Sequence, residues 1–117
     1  MDDRASMVRV ERAGDFAVGR VVCPSVSQRE SSVIQNEMEG AGPGSRWRLV
    51  LDLKDVSMLS SVGLGMLITL HKKCSEGGGK FAIFGLSKDL NDLIKMTKLD
   101  KLLSIARDES AALAKVK

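Results

Sequence analysis

Asp52-Leu53-Lys54-Asp55-Val56-Ser57-Met58-Leu59-Ser60-Ser61-Val62-Gly63-Leu64-Gly65-Met66-Leu67 is the stretch in which one kind of structure hands over to another. Trp47 to Leu53 reads as a strand, because Leu49, Val50, Leu51 and Leu53 leave almost no polar alternation. Such a run suits a strand covered on both faces, in the middle of a parallel or mixed sheet. Asp52 and Asp55 bracket its end. Beyond the turn, Leu64, Leu67, Ile68 and His71 recur at the i, i+3, i+4, i+7 spacing of one helix face. Ser60 or Ser61 can cap the first turn of that helix. Lys72 and Lys73 fall in its last turns, where cations are favoured, and Gly77-Gly78-Gly79 stops it.

The flanks repeat this alternation. Upstream, Met7 to Glu11 alternates like a strand, Gly14-Asp15 marks a turn, and Phe16 to Val22 is rich in strand formers, so a hairpin is expected. Ser25 and Ser27 are candidate caps for a thin amphipathic helix from Ser27 to Glu39 carrying Val33, Ile34 and Met38. Gly40-Ala41-Gly42-Pro43-Gly44-Ser45 reads as a breaker and loop. Downstream, Lys80 to Gly85 is a short strand. Ser87 caps a second amphipathic helix over Leu90, Leu93, Ile94 and Met96. Leu102 to Ala106 is a last strand, and Asp108 opens a final helix over Ala111, Ala112, Leu113 and Val116. The order β-β-α-β-α-β-α-β-α predicts an α/β fold, a mixed and mostly parallel sheet of about five strands with helices packed on it, with right-handed crossovers. No internal repeat is visible, and residues 1–117 read as a single domain.

Composition sets the outer limits. An apolar fraction of 44% and a charged fraction of 28% are ordinary for a globular chain. No apolar run approaches the roughly 20 residues that span a bilayer, and Met1-Asp2-Asp3-Arg4 is followed by no apolar signal segment, so a cytoplasmic location and no membrane are expected. The net charge of +3 is spread along the chain. With three phenylalanines, one tryptophan and no tyrosine, the chain offers few stacking platforms, so no nucleic-acid partner is expected. Cys23 and Cys74 form no CxxC pair and read as two small buried thiols.

Catalytic constellations are hard to find. His71 is the single histidine, on a helix and without other ligands at metal spacing, so it reads as a packing or surface residue and no metal site follows. Gly77-Gly78-Gly79-Lys80 fails as a phosphate loop: the positions that need Gly and Ser or Thr hold Cys74 and Phe81, and the tract follows a helix instead of opening one. Gly63-Leu64-Gly65 lacks the third glycine of a dinucleotide fingerprint, Ile68 standing in its place. A serine nucleophile at the helix start lies too far along a straight helix from His71. No enzymatic activity and no cofactor are expected.

Read physically, the segment sets a hydroxyl at the mouth of a helix, where backbone N–H groups and the positive dipole end point outward. A phosphoryl group on Ser61 would add about −1.5 to −2 charges there, which the helix tolerates, so modification would change the surface without unfolding the domain. Gly63 and Gly65 each cost about 1 kcal/mol of helix propensity against alanine. Either close approach by a partner's backbone or close packing on the domain's own sheet would offset that.

The stretch from Asp52 to Leu67 resembles the signature of the STAS domain, in particular that of the bacterial anti-sigma factor antagonists. Those carry a strand ending in Asp-Leu, a short turn, then Asp-Ser-[Ser/Thr]-Gly-Leu-Gly opening a helix. Phe84-Gly85-Leu86-Ser87 through Leu99, then Leu102-Leu103-Ser104-Ile105, are similar to the family's closing helix and strand, and Asp108-Glu109-Ser110-Ala111-Ala112 fits the start of its last helix. The resemblance runs from about Met7 to Val116 and is specific from Leu49 to about Ile105. It implies a binding module that, unphosphorylated, holds an anti-sigma factor that is also a serine kinase, and so regulates transcription indirectly. The kinase would modify the serine two positions before the first glycine of Gly-Leu-Gly, here Ser61, with Ser60 second by spacing. A PP2C-type phosphatase would reset the switch. Ser60, Ser61, Val62, Gly63, Leu64 and Gly65 are the expected partner-binding residues. Three positions depart from the pattern: Ser60 replaces the usual Asp, Val62 replaces Ser or Thr, and Val21-Val22-Cys23-Pro24 occupies the place of a Gly-x-Leu-Asp-like turn. The departures at 60 and 62 keep a STAS-type scaffold or sensor subunit without a phospho-switch as the alternative.

Overall fold

The computed structural model describes residues 7–117. Val8–Ala13 (β1) and Phe16–Val21 (β2) form the expected hairpin, antiparallel with Val8 opposite Val21 and Ala13 opposite Phe16. Gly14 at the turn takes φ +66°, a left-handed conformation that costs glycine nothing. Next come Ser25–Val26 (β3), Gln28–Ala41 (α1), Arg48–Asp52 (β4), Met58–Leu59 (β5) and Ser61–Glu76 (α2). Lys80–Phe84 (β6), Lys88–Met96 (α3), Ser104–Ala106 (β7) and Glu109–Val116 (α4) complete the chain.

The main sheet has the order β1-β2-β4-β6-β7, and every pairing after the hairpin is parallel. The apolar run of β4 lands in its centre, with Leu49, Val50 and Leu51 fully buried. The helices divide between the faces. Ile34 and Met38 of α1, Leu67 and Leu70 of α2, and Leu90 and Ile94 of α3 pack with Leu49, Leu51 and Ile83 in one core. Ala112 and Val116 of α4 cover Val18, Val50, Ala82 and Phe84 on the other.

Several local readings change. The apolar stripe of α2 is turned from the one expected: Gly63, Met66, Leu67, Leu70 and Cys74 are buried, while Leu64, Ile68 and His71 lie half-buried beside them. Both stripes obey helical spacing, so periodicity alone could not choose between them. Met96 is exposed at the last turn of α3. Cys23 is half-buried, and only Cys74 is fully buried. The helix α1 runs through Gly40 to Ala41, and Pro43–Ser45 form a 3-10 turn where a loop was expected. The strand at 47–53 begins at Arg48, because Arg46 and Trp47 both take left-handed φ values of 57°. The last strand keeps only Ser104–Ala106, since Leu102 takes a helical conformation closing a 3-10 turn at Leu99–Lys101, and Leu102 N and Leu103 N both donate back to Leu99 O. The parallel pair β3-β5 was not expected at all.

At the carboxyl end of β2, Arg20 ties the two faces together. Its guanidinium donates to Asp52 Oδ2 at 3.0 Å and to both carboxylate oxygens of Glu109, at 2.9 and 3.1 Å. Glu11 on the neighbouring strand lies 3.0 Å from Arg20 Nε. The α4 helix is thus bolted to the sheet by an ion pair as well as by its small apolar face.

The hydrogen bonds from Arg20 hold the Glu109 carboxyl below its ordinary range. A carboxylate with a lowered folded pKa stabilises the fold above its unfolded pKa and loses that contribution as pH falls through the folded value. The stability gap between the native chain and Glu109→Gln should therefore be open at neutral pH and close below about pH 4, measured as melting temperature against pH. A gap of constant size would contradict the ion pair's role.

Candidate partner-contact site

The start of α2 is built from its neighbours inward. Pro24 O accepts from Ser57 N at 2.8 Å and from Met58 N at 3.1 Å, which holds the loop after β4 against the segment after β2. The β3-β5 pairing sets Val26 beside Leu59, and Val26 O accepts from Ser60 N at 3.0 Å. Two residues of parallel strand thus carry the chain directly into the helix.

Ser60 is the N-cap: its backbone is extended and its Oγ accepts from Gly63 N at 3.2 Å. This settles which serine caps the helix. Ser61 is the first helical residue and is exposed. Val62 is also exposed, at 46%. Gly63 is buried, and Leu64 and Gly65 are half-buried. Of the six residues expected to meet a partner, Ser61 and Val62 face outward, Ser60 is engaged by its own helix, and Gly63 faces inward.

The two glycines separate on space. A Cβ on Gly63 would stand 3.0 Å from Val26 O and 3.0 Å from Leu59 Cδ2, so Gly63 is there because the helix sits on the β3-β5 pair. A Cβ on Gly65 would meet nothing within 4 Å. Close packing on the chain's own sheet therefore accounts for the first glycine and not the second.

Met58, 66% exposed, stands three residues before Ser61. Beside it opens a hollow of ≈ 230 Å³ lined by Ser57, Met58, Leu59, Asp89, Leu90 and Leu93. The surface around the helix mouth thus sets the exposed apolar side chains of Met58 and Val62 beside the hydroxyl of Ser61, with the polar Ser57 and Asp89 on the wall of the hollow. Sequence reasoning missed Met58 as part of this surface. The signal was its place in a polar turn, where a large apolar side chain has no core to enter.

Beneath the site, Asp52 is buried and accepts from Lys54 N at 3.0 Å and from Arg20. This fixes the turn that leaves β4. His71 is half-buried along α2 and lines a separate hollow with Ser75, Lys80 and Ser104. Burial pushes the Cys74 thiol up to about 12 and raises Cys23 as well, which keeps both in the unreactive thiol form. Among the described residues no group of three His, Cys, Asp or Glu side chains could hold a metal ion.

The STAS domain sequence model matches residues 8–112. Over 68 residues the chain is 29% identical to the anti-sigma F factor antagonist of Paenibacillus polymyxa, covering 58% of each protein. A Thermotoga maritima relative is 29% identical over 60% of this chain and 62% of its own. The chain thus spans about six-tenths of the length of the relatives it matches. Among solved structures, an anti-sigma factor antagonist from Mycobacterium paratuberculosis superposes with a TM-score of 0.81 at 24% identity, covering 94% of this chain and 92% of the other. The Bacillus cell fate determinant SpoIIAA in its phosphorylated form gives 0.70 at 15% identity, covering 94% and 99%. Both likenesses concern the fold.

Two pairs of substitutions test the geometry by urea unfolding. Ser60→Ala should cost about 1 kcal/mol through loss of the cap, whereas Ser61→Ala should stay within about 0.5 kcal/mol as a surface change. Gly63→Ala should destabilise by about 1–3 kcal/mol through overpacking, while Gly65→Ala should gain up to about 1 kcal/mol of helix propensity. Equal effects within either pair would contradict the assignment.

Proposed function

Because this chain belongs to the STAS domain family, we propose that it is an anti-sigma factor antagonist whose partner contact is broken by phosphorylation of Ser61. The observation that carries this reading is the exposure of Ser61 at the first turn of α2 while Ser60 beside it is spent on the cap. A kinase can reach one hydroxyl without dismantling the helix start.

The mechanism follows from the surroundings. Unphosphorylated, the surface of Met58, Ser61 and Val62 is neutral and largely apolar, and it buries favourably against an anti-sigma factor. The partner, itself a serine kinase, transfers a phosphoryl group to Ser61. The product carries about −1.5 to −2 charges, and burying it in an apolar contact costs far more than burying a hydroxyl. The complex dissociates. Within the free chain the same charge faces the positive end of α2, where anions are tolerated, so the fold persists and a PP2C-type phosphatase can restore the hydroxyl. The cycle is cytoplasmic and involves no catalysis by this chain. No helix among the described residues is long and apolar enough to cross a membrane.

One observation favours a second reading, a STAS-type scaffold or sensor subunit without a phospho-switch. Ser60 and Val62 flank Ser61 where the family pattern has Asp and Ser or Thr, so the motif a kinase would read is altered. Large homo-assemblies in size-exclusion chromatography, together with unchanged partner binding by Ser61→Asp, would support it.

The deciding experiment incubates the chain with ATP and its own anti-sigma factor kinase and maps the product by mass spectrometry. Phosphate is expected on Ser61. Ser61→Asp should weaken kinase binding at least about tenfold, roughly the 1.4 kcal/mol of one unfavourable buried charge, with an almost unchanged melting temperature. Absence of phosphate from Ser61, or a large loss of stability in Ser61→Asp, would sink the proposal.

A further inference from the structure

The parallel strands β6 and β7 are neighbours, yet the chain leaves them toward opposite faces of the sheet. From β6 it passes to α3, whose Leu90 and Ile94 join the core shared with α1 and α2. From β7 it passes to α4, whose Ala112 and Val116 build the core on the other face. Adjacent strands with connections on opposite faces leave a crevice outside their carboxyl ends, and in open α/β sheets that crevice is where small ligands bind.

The crevice is present. A cavity of ≈ 540 Å³ opens at the carboxyl ends of the two strands, lined by Gly85, Leu86, Lys88 and Asn91 after β6, by Ile105 and Ala106 of β7 itself, and by Arg107 after it. That is within the range that holds a small organic ligand. Gly85 has φ +80°, and a Cβ there would stand 2.9 Å from Lys54 N, so this part of the wall is bare backbone that a larger residue could not supply without strain. Leu86 and Ile105 are half-buried members of the main core's rim and give the cavity an apolar wall. Lys88 and Arg107 bring two positive charges, and Asn91 an amide. Two carboxylates stand nearby but outside the lining. Asp108 Oδ2 lies 3.8 Å from Arg107 Nε, and its Oδ1 caps α4 by accepting from Ala111 N at 2.8 Å. Asp89 lines the other hollow, beside Met58. The lining itself thus combines two cationic side chains, one amide and apolar side chains, with no carboxylate among them.

We propose that this crevice binds a small soluble organic anion, a phosphate head held between Lys88 and Arg107 with an apolar or aromatic body against Leu86 and Ile105. The site is independent of Ser61 and does not rest on the switch. Binding there would give the domain a second input, the level of a metabolite, beside the protein contact proposed at α2.

The test uses the unphosphorylated chain alone, followed by backbone amide NMR, with phenyl phosphate as probe. Saturable shifts are expected at Gly85, Lys88 and Arg107, weakened by added salt, as befits partly exposed charges. Inorganic phosphate, lacking the ring, should bind about tenfold more weakly, the effect of losing a modest apolar contact. Benzyl alcohol, lacking the charge, should give no saturable shift at these amides. Lys88 and Arg107 are both exposed, so Lys88→Gln with Arg107→Gln should fold normally by circular dichroism and lose about tenfold or more in phenyl phosphate affinity, the loss expected for charge-assisted contacts. Absence of saturable shifts, the same affinity in the double variant, or inorganic phosphate binding as tightly as phenyl phosphate would each overturn the proposal. So would co-sedimentation of the chain with phosphatidic acid vesicles, which would reassign the site to a lipid surface.

Discussion

The seat of α2 on the two-residue sheet of β3 and β5 is the constraint from which the candidate site follows. Val26 O accepts from Ser60 N, and the same carbonyl lies only 3.0 Å from where a Cβ on Gly63 would stand. These contacts fix how the first turn of the helix meets the β3-β5 pair. In that setting Met66, Leu67, Leu70 and Cys74 enter the core, and Ser61 and Val62 lie outside. Burial of side chains such as Leu67 and Leu70 stabilises by about 1.5–3 kcal/mol each, so the core holds the helix while one glycine and one cap set its angle. The exposed serine is a consequence of this packing. It is exposed because its predecessor caps and the glycine two residues later must face inward.

Much of this was legible in the sequence for a physical reason. The main sheet and its four helices announce themselves through long apolar runs and capping residues: β4 by Leu49, Val50 and Leu51, α3 by Ser87, α4 by Asp108. The two caps both operate as expected, Ser87 Oγ accepting from Leu90 N and Asp108 from Ala111 N. The pair β3-β5 was not legible, because a two-residue strand has no periodicity to detect and its pairing joins residues more than thirty positions apart. The stripe of α2 was misjudged for a related reason. Leu64, Ile68 and His71 match the helix period as well as Gly63, Met66 and Leu70 do, and only the contact of Gly63 with Val26 decides between them. The role of that glycine was open from sequence and is closed by the space around it.

Charge is arranged along the carboxyl edge of the sheet in two different ways. Arg20, Asp52, Glu11 and Glu109 are locked into one another and spend their charge on holding α4. Lys88 and Arg107 line an open crevice. Ser61 lies along the same edge of the molecule, past the end of β4, carrying no charge until it is given one. Among the described residues Ser61 takes part in none of these ion pairs, so a phosphate there would not have to displace one.

The central claim is that charge at Ser61 acts on the contact and leaves the domain intact. Amide hydrogen exchange along α2, compared before and after stoichiometric phosphorylation of Ser61, tests it most directly. The account predicts the same protection from Met66 to Cys74 in both forms, with changes confined to the first turn. Loss of protection along the helix would contradict it, because the phosphate would then be acting by unseating α2.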